Sequence, residues 1–142
     1  MTEKQASRTE DRLISLFFNV GRTIRQNTPK HDPFSLLKLE TLRYVSEVNE
    51  PQMKDIATHL AITAPSATSL VNSLVRAGAL KRIVDPKDRR SVHLALTGKA
   101  EALVKHGHRQ LAENLGGCLE VLTIKEKENL IKIMEKILKP KI

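Results

Sequence analysis

Aromatic side chains are scarce in this sequence: 142 residues contain no tryptophan, one tyrosine (Tyr44) and three phenylalanines. Recognition of single-stranded nucleic acid or of carbohydrate rests on stacking platforms, and almost nothing is present from which to build one. Cysteine is rarer still, and the lone Cys118 excludes an intramolecular disulfide. No apolar run approaches the roughly 18 residues of a membrane span, and residues 1–13 hold neither an apolar signal core nor a twin arginine. A cytoplasmic chain without membrane contact is expected. Catalytic motifs are missing as well: there is no nucleophile elbow, no phosphate-cradling glycine loop and no zinc-protease helix motif. The expectation is a protein that is not an enzyme and needs no cofactor. His106 and His108 are two residues apart, which on a helix turns them about 200° from each other, so no metal site is expected of them. Cys118 reads as a structural or incidental thiol.

What the chain has in excess is positive charge, 24 basic against 16 acidic side chains for a formal +8. Such an excess favours a polyanionic partner. The distribution is uneven. Residues 1–51 carry +1 and residues 100–142 carry +2, whereas residues 52–99, with eight basic and three acidic side chains, carry +5. A merely solvated basic surface would spread its charge, so the middle segment is the electrostatic footprint.

Hydrophobic periodicity divides the chain into helices and one hairpin. Leu13, Leu16, Phe17, Val20 and Ile24 repeat at helical spacing, with Ser7 and Glu10 spaced as a capping box, which predicts a first helix over residues 8–26. Turn residues fill 27–33, and Leu37, Thr41, Tyr44, Val45 and Val48 mark a second helix ending near Val48. Pro51 suits the first turn of a short third helix that turns Met53, Ile56, Ala57 and Leu60 inward. After the break Ala61-Ile62-Thr63, with Thr63 as N-cap, a fourth helix over 64–77 buries Ala67, Leu70, Val71 and Leu74, and Gly78 supplies a left-handed stop. The period then shortens to two. Residues 80–84 and 92–96 alternate as strands around the charged turn DPKDRRS at 85–91. Thr97 is placed to cap a fifth helix reaching Leu115, where Gly116-Gly117 interrupts it, and Thr123 caps a last helix to about Lys139. In that last helix Leu130, Ile131, Ile133, Met134, Ile137 and Leu138 cover well over half the circumference, so it needs two packing partners, one of them a second subunit.

Two helices joined by a three-residue turn, followed at once by a basic hairpin, form a winged helix-turn-helix pattern. Ala57 and Ala61 stand where the two helices approach closely, and Ala61 replaces the commoner glycine there. The outward face of the fourth helix offers Ser66, Thr68, Ser69, Asn72, Ser73 and Arg76, short donors and acceptors that let a helix backbone descend into a major groove, with no acidic residue to forbid it. Any surface helix has a polar face, and it is the adjoining hairpin that turns the balance. Lys87, Arg89 and Arg90 occupy its tip, where a guanidinium group can enter a narrow, strongly negative minor groove. Asp88 and Arg90 can instead pair with each other, shaping the turn and leaving Arg89 as the reader. Ser66, Thr68, Ser69 and Asn72 are therefore expected at base edges, Asn72 with bidentate capacity for adenine. Arg76, Lys81, Lys87 and one of Arg89 or Arg90 are expected at phosphate or in the minor groove.

Residues 80–97, LKRIVDPKDRRSVHLALT, resemble the wing of the multiple-antibiotic-resistance regulator (MarR) family, and Thr68-x-x-Val71-x-x-Leu74-x-x-x-Gly78 is similar to its recognition helix. One departure is Leu96-Thr97-Gly98-Lys99-Ala100, where the family usually has Leu-Thr-x-x-Gly. The resemblance implies a mainly helical, single-domain chain over residues 1–142. It has a winged helix-turn-helix lobe at 34–98 and dimerisation helices at 8–26 and 99–139. It further implies a homodimeric transcription regulator of duplex DNA, usually a repressor, that many members release when a small aromatic or phenolic effector binds. Leu13, Phe17, Leu130, Ile133, Met134 and Ile137 are then the expected dimer contacts. The reading from another class is an architectural or protein-interaction module that binds any duplex equally.

Overall fold

A computed structural model describes residues 2–27 and 36–140. Along the chain run α1 (Glu3–Asn27), α2 (Leu36–Glu47), α3 (Met53–Leu60), α4 (Ala64–Arg76), β1 (Leu80–Val84), β2 (Val92–Leu96), α5 (Ala100–Leu119) and α6 (Ile124–Leu138). The two strands pair antiparallel from Leu80 opposite Leu96 to Val84 opposite Val92. Among the described residues they make the one sheet, so the expected mainly helical winged helix-turn-helix is what the chain adopts. Contacts divide it into two compact units: α1, the end of α5 and α6 form one, and α2 through the first half of α5 form the other.

The winged unit holds the core. Leu39, Leu42 and Val45 of α2, Ile56 of α3, Ala67, Val71 and Leu74 of α4, and Ala79, Leu80 and Leu94 of the hairpin are all buried in one cluster. Within α4 the spacing of 67, 71 and 74 puts all three on one stripe, which leaves the opposite stripe to solvent. Thr41 is fully buried too, and its hydroxyl is satisfied by donating to the Leu37 carbonyl at 2.7 Å. The inward face of α2 thus differs from the expected one: Leu37 and Val48 are exposed, and Leu39 and Leu42 pack in their place.

Caps explain most boundaries. Thr63 accepts from the Ser66 backbone at α4, and at α6 Thr123 and Glu126 close a reciprocal capping box. Gly78 has the expected positive φ of 79°. Four local expectations are corrected. α1 starts at Glu3, because Lys4, Gln5, Ala6 and Arg8 are themselves good helix formers, and Ser7 and Glu10 lie inside the helix. Pro51 precedes α3 and Gln52 is its N-cap, whose backbone N–H donates to Asp55 at 2.9 Å. Thr97 does not cap α5: its hydroxyl donates to the carbonyls of Gly78 and Ala79, tying the exit of β2 to the entry of β1. Finally α5 runs through Gly116 and Gly117 to Leu119, since a helical glycine costs about 1 kcal/mol relative to alanine without forbidding the helix.

The other unit is different in kind. Neither α1 nor α6 buries a single residue, and Leu13, Phe17, Leu130, Ile133, Met134 and Ile137 are all exposed. Cys118, near the end of α5, accepts a hydrogen bond at Sγ from the Asn27 amide at 3.0 Å. Among the described residues no helix is long and apolar enough to cross a membrane. Nor does any group of three or more histidine, cysteine, aspartate or glutamate side chains gather there that could hold a metal ion. Of the expected turn at 27–33, all but Asn27 lies outside the described residues.

Candidate nucleic-acid interface

Helix α4 presents a shallow open strip lined by Ala64, Pro65, Thr68, Ser69, Asn72 and Arg76. Their spacing of three and four residues forms two adjacent ridges of short side chains that end at Arg76 in the last turn. Thr68, Ser69, Asn72 and Arg76 therefore come together as the sequence suggested. Ser66 stands outside this strip, and its hydroxyl accepts from that of Thr63 at 2.9 Å. Thr68 donates its hydroxyl proton back to the Ala64 carbonyl at 3.0 Å, so toward a ligand it offers mainly its oxygen.

The approach angle of α4 is set by the turn before it. Ala61 ends α3 in the left-handed conformation, φ 53° and ψ 44°, and Ile62 donates to the Ala57 carbonyl at 3.1 Å, which closes the turn in three residues. A second restraint joins α2 to α3. Glu40 accepts hydrogen bonds from the Arg43 guanidinium and, at 2.8 Å, from His59 Nε2, and His59 stacks on Tyr44 with ring centroids 4.1 Å apart. The Arg43 bonds foremost, then His59, hold the Glu40 carboxyl down at about 2 against an ordinary 4.5. Arg43, which also donates to Glu47 at 2.7 Å, is raised in turn by the two carboxylates.

The wing tip is organised by its own aspartates. Asp85 accepts the Lys87 backbone N–H at 2.9 Å and Asp88 accepts that of Arg90 at 3.0 Å, while Ser91 donates from its backbone to the Asp88 carbonyl. Asp88 thus engages the backbone of Arg90. Among the described residues no carboxylate pairs with the side chains of Lys87, Arg89 or Arg90, which remain exposed at the tip. The base of the wing is fixed to the turn before α3. Leu94 donates to the Pro51 carbonyl at 2.9 Å, His93 donates from Nδ1 to the Glu50 carbonyl at 2.8 Å, and Gln52 donates to the Ser91 hydroxyl at 3.2 Å. With Nδ1 protonated, His93 Nε2 accepts the Ser91 hydroxyl proton at 2.9 Å and the chain of bonds is complete.

Arg82 is the site residue that the sequence reading passed over. Its guanidinium, on β1, donates to the side-chain oxygen of Asn72 on α4. The two-residue period of a strand carried the signal, because Arg82 shares the face of the buried Leu80, and β1 packs on α4. Lys81 points to the other face and is exposed.

Residues 34–91 match the family model described as the MarR family. Among curated proteins the HTH-type transcriptional regulator FarR of Neisseria gonorrhoeae is 31% identical over 91 residues, 64% of this chain and 62% of that protein, so the match spans less than two thirds of the relative's length. Among solved structures, the transcriptional regulator BldR from Sulfolobus solfataricus superposes with a TM-score of 0.71 at 23% identity over 97% of this chain and 98% of its own. BpsR of Bordetella bronchiseptica, whose DNA binding is regulated by 6-hydroxynicotinic acid, gives 0.68 at 17% over 93% and 94%. The winged segment is thus similar to the MarR family model, and the chain as a whole shares its fold with these solved structures.

Proposed function

We propose that this chain is a sequence-specific regulator of transcription. In this reading it binds duplex DNA as a homodimer, represses from a pseudo-palindromic promoter site and is released by a small aromatic or phenolic effector. The observation that carries the reading is the small polar strip of α4 together with a wing tip whose three cations have no carboxylate partner among the described residues. Thr68, Ser69, Asn72 and Ser66 meet base edges in the major groove. Arg76, Lys81 and Lys87 meet phosphates, and one of Arg89 or Arg90 enters the minor groove. The lobe at 34–98 does the reading, and the helices at 8–26 and 99–139 join two copies through Leu13, Phe17, Leu130, Ile133, Met134 and Ile137. Their exposure in a single chain supports that assignment, since apolar faces of this size seek cover. The effector part leans on BpsR and on the family resemblance.

The test is a mobility-shift titration of the full chain, at two salt concentrations, on a duplex from its own upstream region and on a scrambled duplex of equal length. Binding that favours the native duplex by about a thousandfold supports a sequence reader with half-sites about 10 base pairs apart. Equal binding to both, falling steeply with salt, would replace this reading by an architectural one. Arg89→Ala or Arg90→Ala is expected to cost about 1–3 kcal/mol at whichever position reads the groove, and Lys87→Ala to flatten the salt slope by about one. Equal small losses at all three would remove the wing from the interface. Adding 6-hydroxynicotinic acid or benzoate to the preformed complex checks release.

A further inference from the structure

The contact between Arg82 and Asn72 fixes more than a side-chain position. A guanidinium group has five N–H donors and no acceptor, so the amide atom of Asn72 that faces it is the oxygen, and the Nδ2 donors point the other way. Asn72 lies on the groove strip of α4, and among the described residues its Nδ2 has no protein partner. Adenine in the major groove offers one acceptor, N7, next to one donor, N6–H. An asparagine pairs with it by giving one bond and taking one. With its oxygen turned to Arg82, Asn72 no longer presents that pattern. What the pair shows outward is a run of donors: the Asn72 amide hydrogens beside the Arg82 guanidinium hydrogens left over from the internal bond. Guanine is the base whose major-groove edge consists of two acceptors, O6 and N7, and it is the complement of such a run.

We infer that Arg82 is a specificity-determining residue, which holds Asn72 as a donor so that the pair selects guanine and rejects adenine at one position of each half-site. This inference rests on the proposed DNA-reading function and adds to it the chemistry of one base pair. Arg82 acts here through Asn72, as a positioning residue, as well as through its own remaining donors.

The experiment is enrichment of binding sites from a randomised duplex pool by the full-length chain and by Asn72→Ala, Arg82→Ala, Arg82→Gln and Arg82→Lys. The Asn72→Ala pool identifies the base pair read at that point, as the position whose preference disappears. At that pair the unaltered chain is expected to select guanine. Arg82→Ala and Arg82→Gln should admit adenine, because the released amide turns freely, and the preference for guanine over adenine should fall by about tenfold or more. Arg82→Lys should keep guanine, since an ammonium group also only donates. A residue that merely supports the fold would lower affinity for all sites together and leave the ratio of the two bases alone. Selection of adenine by the unaltered chain, or an unchanged ratio in both Arg82→Ala and Arg82→Gln, overturns this inference and leaves the regulator reading standing. A pool in which the unaltered chain enriches no sequence overturns both.

Discussion

Two regions of this chain solve the problem of apolar surface in opposite ways. From α2 to the first half of α5, side chains from three helices and two strands converge, and Ile56, Val71, Leu74 and Leu94 are wholly withdrawn from water. Helices α1 and α6 are as amphipathic, yet Phe17 stays 69% exposed and Ile137 67%, and nothing in either helix is buried. The first region contains both halves of its core, and its stability is a property of one molecule. The second shows an apolar face with no cover of its own, and in the proposed homodimer another copy supplies the other half of that core, which would make its order depend on concentration. In the proposed regulator that division separates reading a half-site from counting half-sites.

The comparison can be broken most forcefully at α6. Ile137→Asp is expected to turn dimers into monomers in sedimentation equilibrium and, by removing the second tethered half-site, to weaken operator binding by about 10²–10⁴-fold while leaving the amide spectrum of the winged unit in place. A monomer that still bound tightly would end the argument. Ile56→Ala attacks the other region: it should cost about 2–5 kcal/mol in urea unfolding of the winged unit, whatever the protein concentration. If that loss vanished at high concentration, the two regions would not differ as described. Ala61→Gly sharpens the comparison in the stabilising direction. A β-carbon in the left-handed region is strained, and its removal should raise the stability of the winged unit by about 1 kcal/mol, less the extra freedom glycine gains when unfolded. A fall in melting temperature would show the turn to be unstrained, since only the unfolded-state term would then act.

The smallest effect is expected at Glu40. Its folded carboxyl titrates below its unfolded value, so its bonds to Arg43 and His59 stabilise the winged unit above pH 4.5, and that contribution drains away as pH falls from 4.5 toward about 2. Glu40→Gln should therefore cost no more than about 1 kcal/mol at neutral pH, the network being open to solvent. The unaltered chain and the variant should converge below pH 3. A gap that widened on acidification would contradict this direction.

Legibility in the sequence followed the range of the interactions involved. The hairpin runs from 80 to 84 and from 92 to 96 as its two-residue period indicated, and α4 lies between Thr63 and Gly78 because a cap and a positive-φ stop act on their immediate neighbours. Local signals misled where a stronger local term competed. The propensity of residues 3–9 carried α1 past a well-spaced Ser7 and Glu10, and two consecutive glycines proved too weak to end α5. The inward face of α2 was set by what β2 and α3 offered it, which the helix alone does not encode. The bonds among Glu50, Gln52, Ser91 and His93 join residues up to 43 positions apart, and no local pattern announces them. Arg82 was within reach of inference, since strand parity already placed it beside Leu80 and toward α4.

The aspartate-held tip of the wing has a consequence for the kinetics of encounter. Because Asp85 and Asp88 fold residues 85–91 through backbone N–H groups, the loop has already lost most of its conformational entropy before any duplex arrives, and only the Lys87, Arg89 and Arg90 side chains remain to be ordered. In the proposed regulator, association then requires no search by the backbone, and the long-range pull of the phosphates acts on three side chains whose anchoring positions are already set. On the proposed reading, capture at the tip should be fast and should slow with salt alone, while the lifetime of the complex should be decided at the slower, shorter-range fit of α4 to the bases.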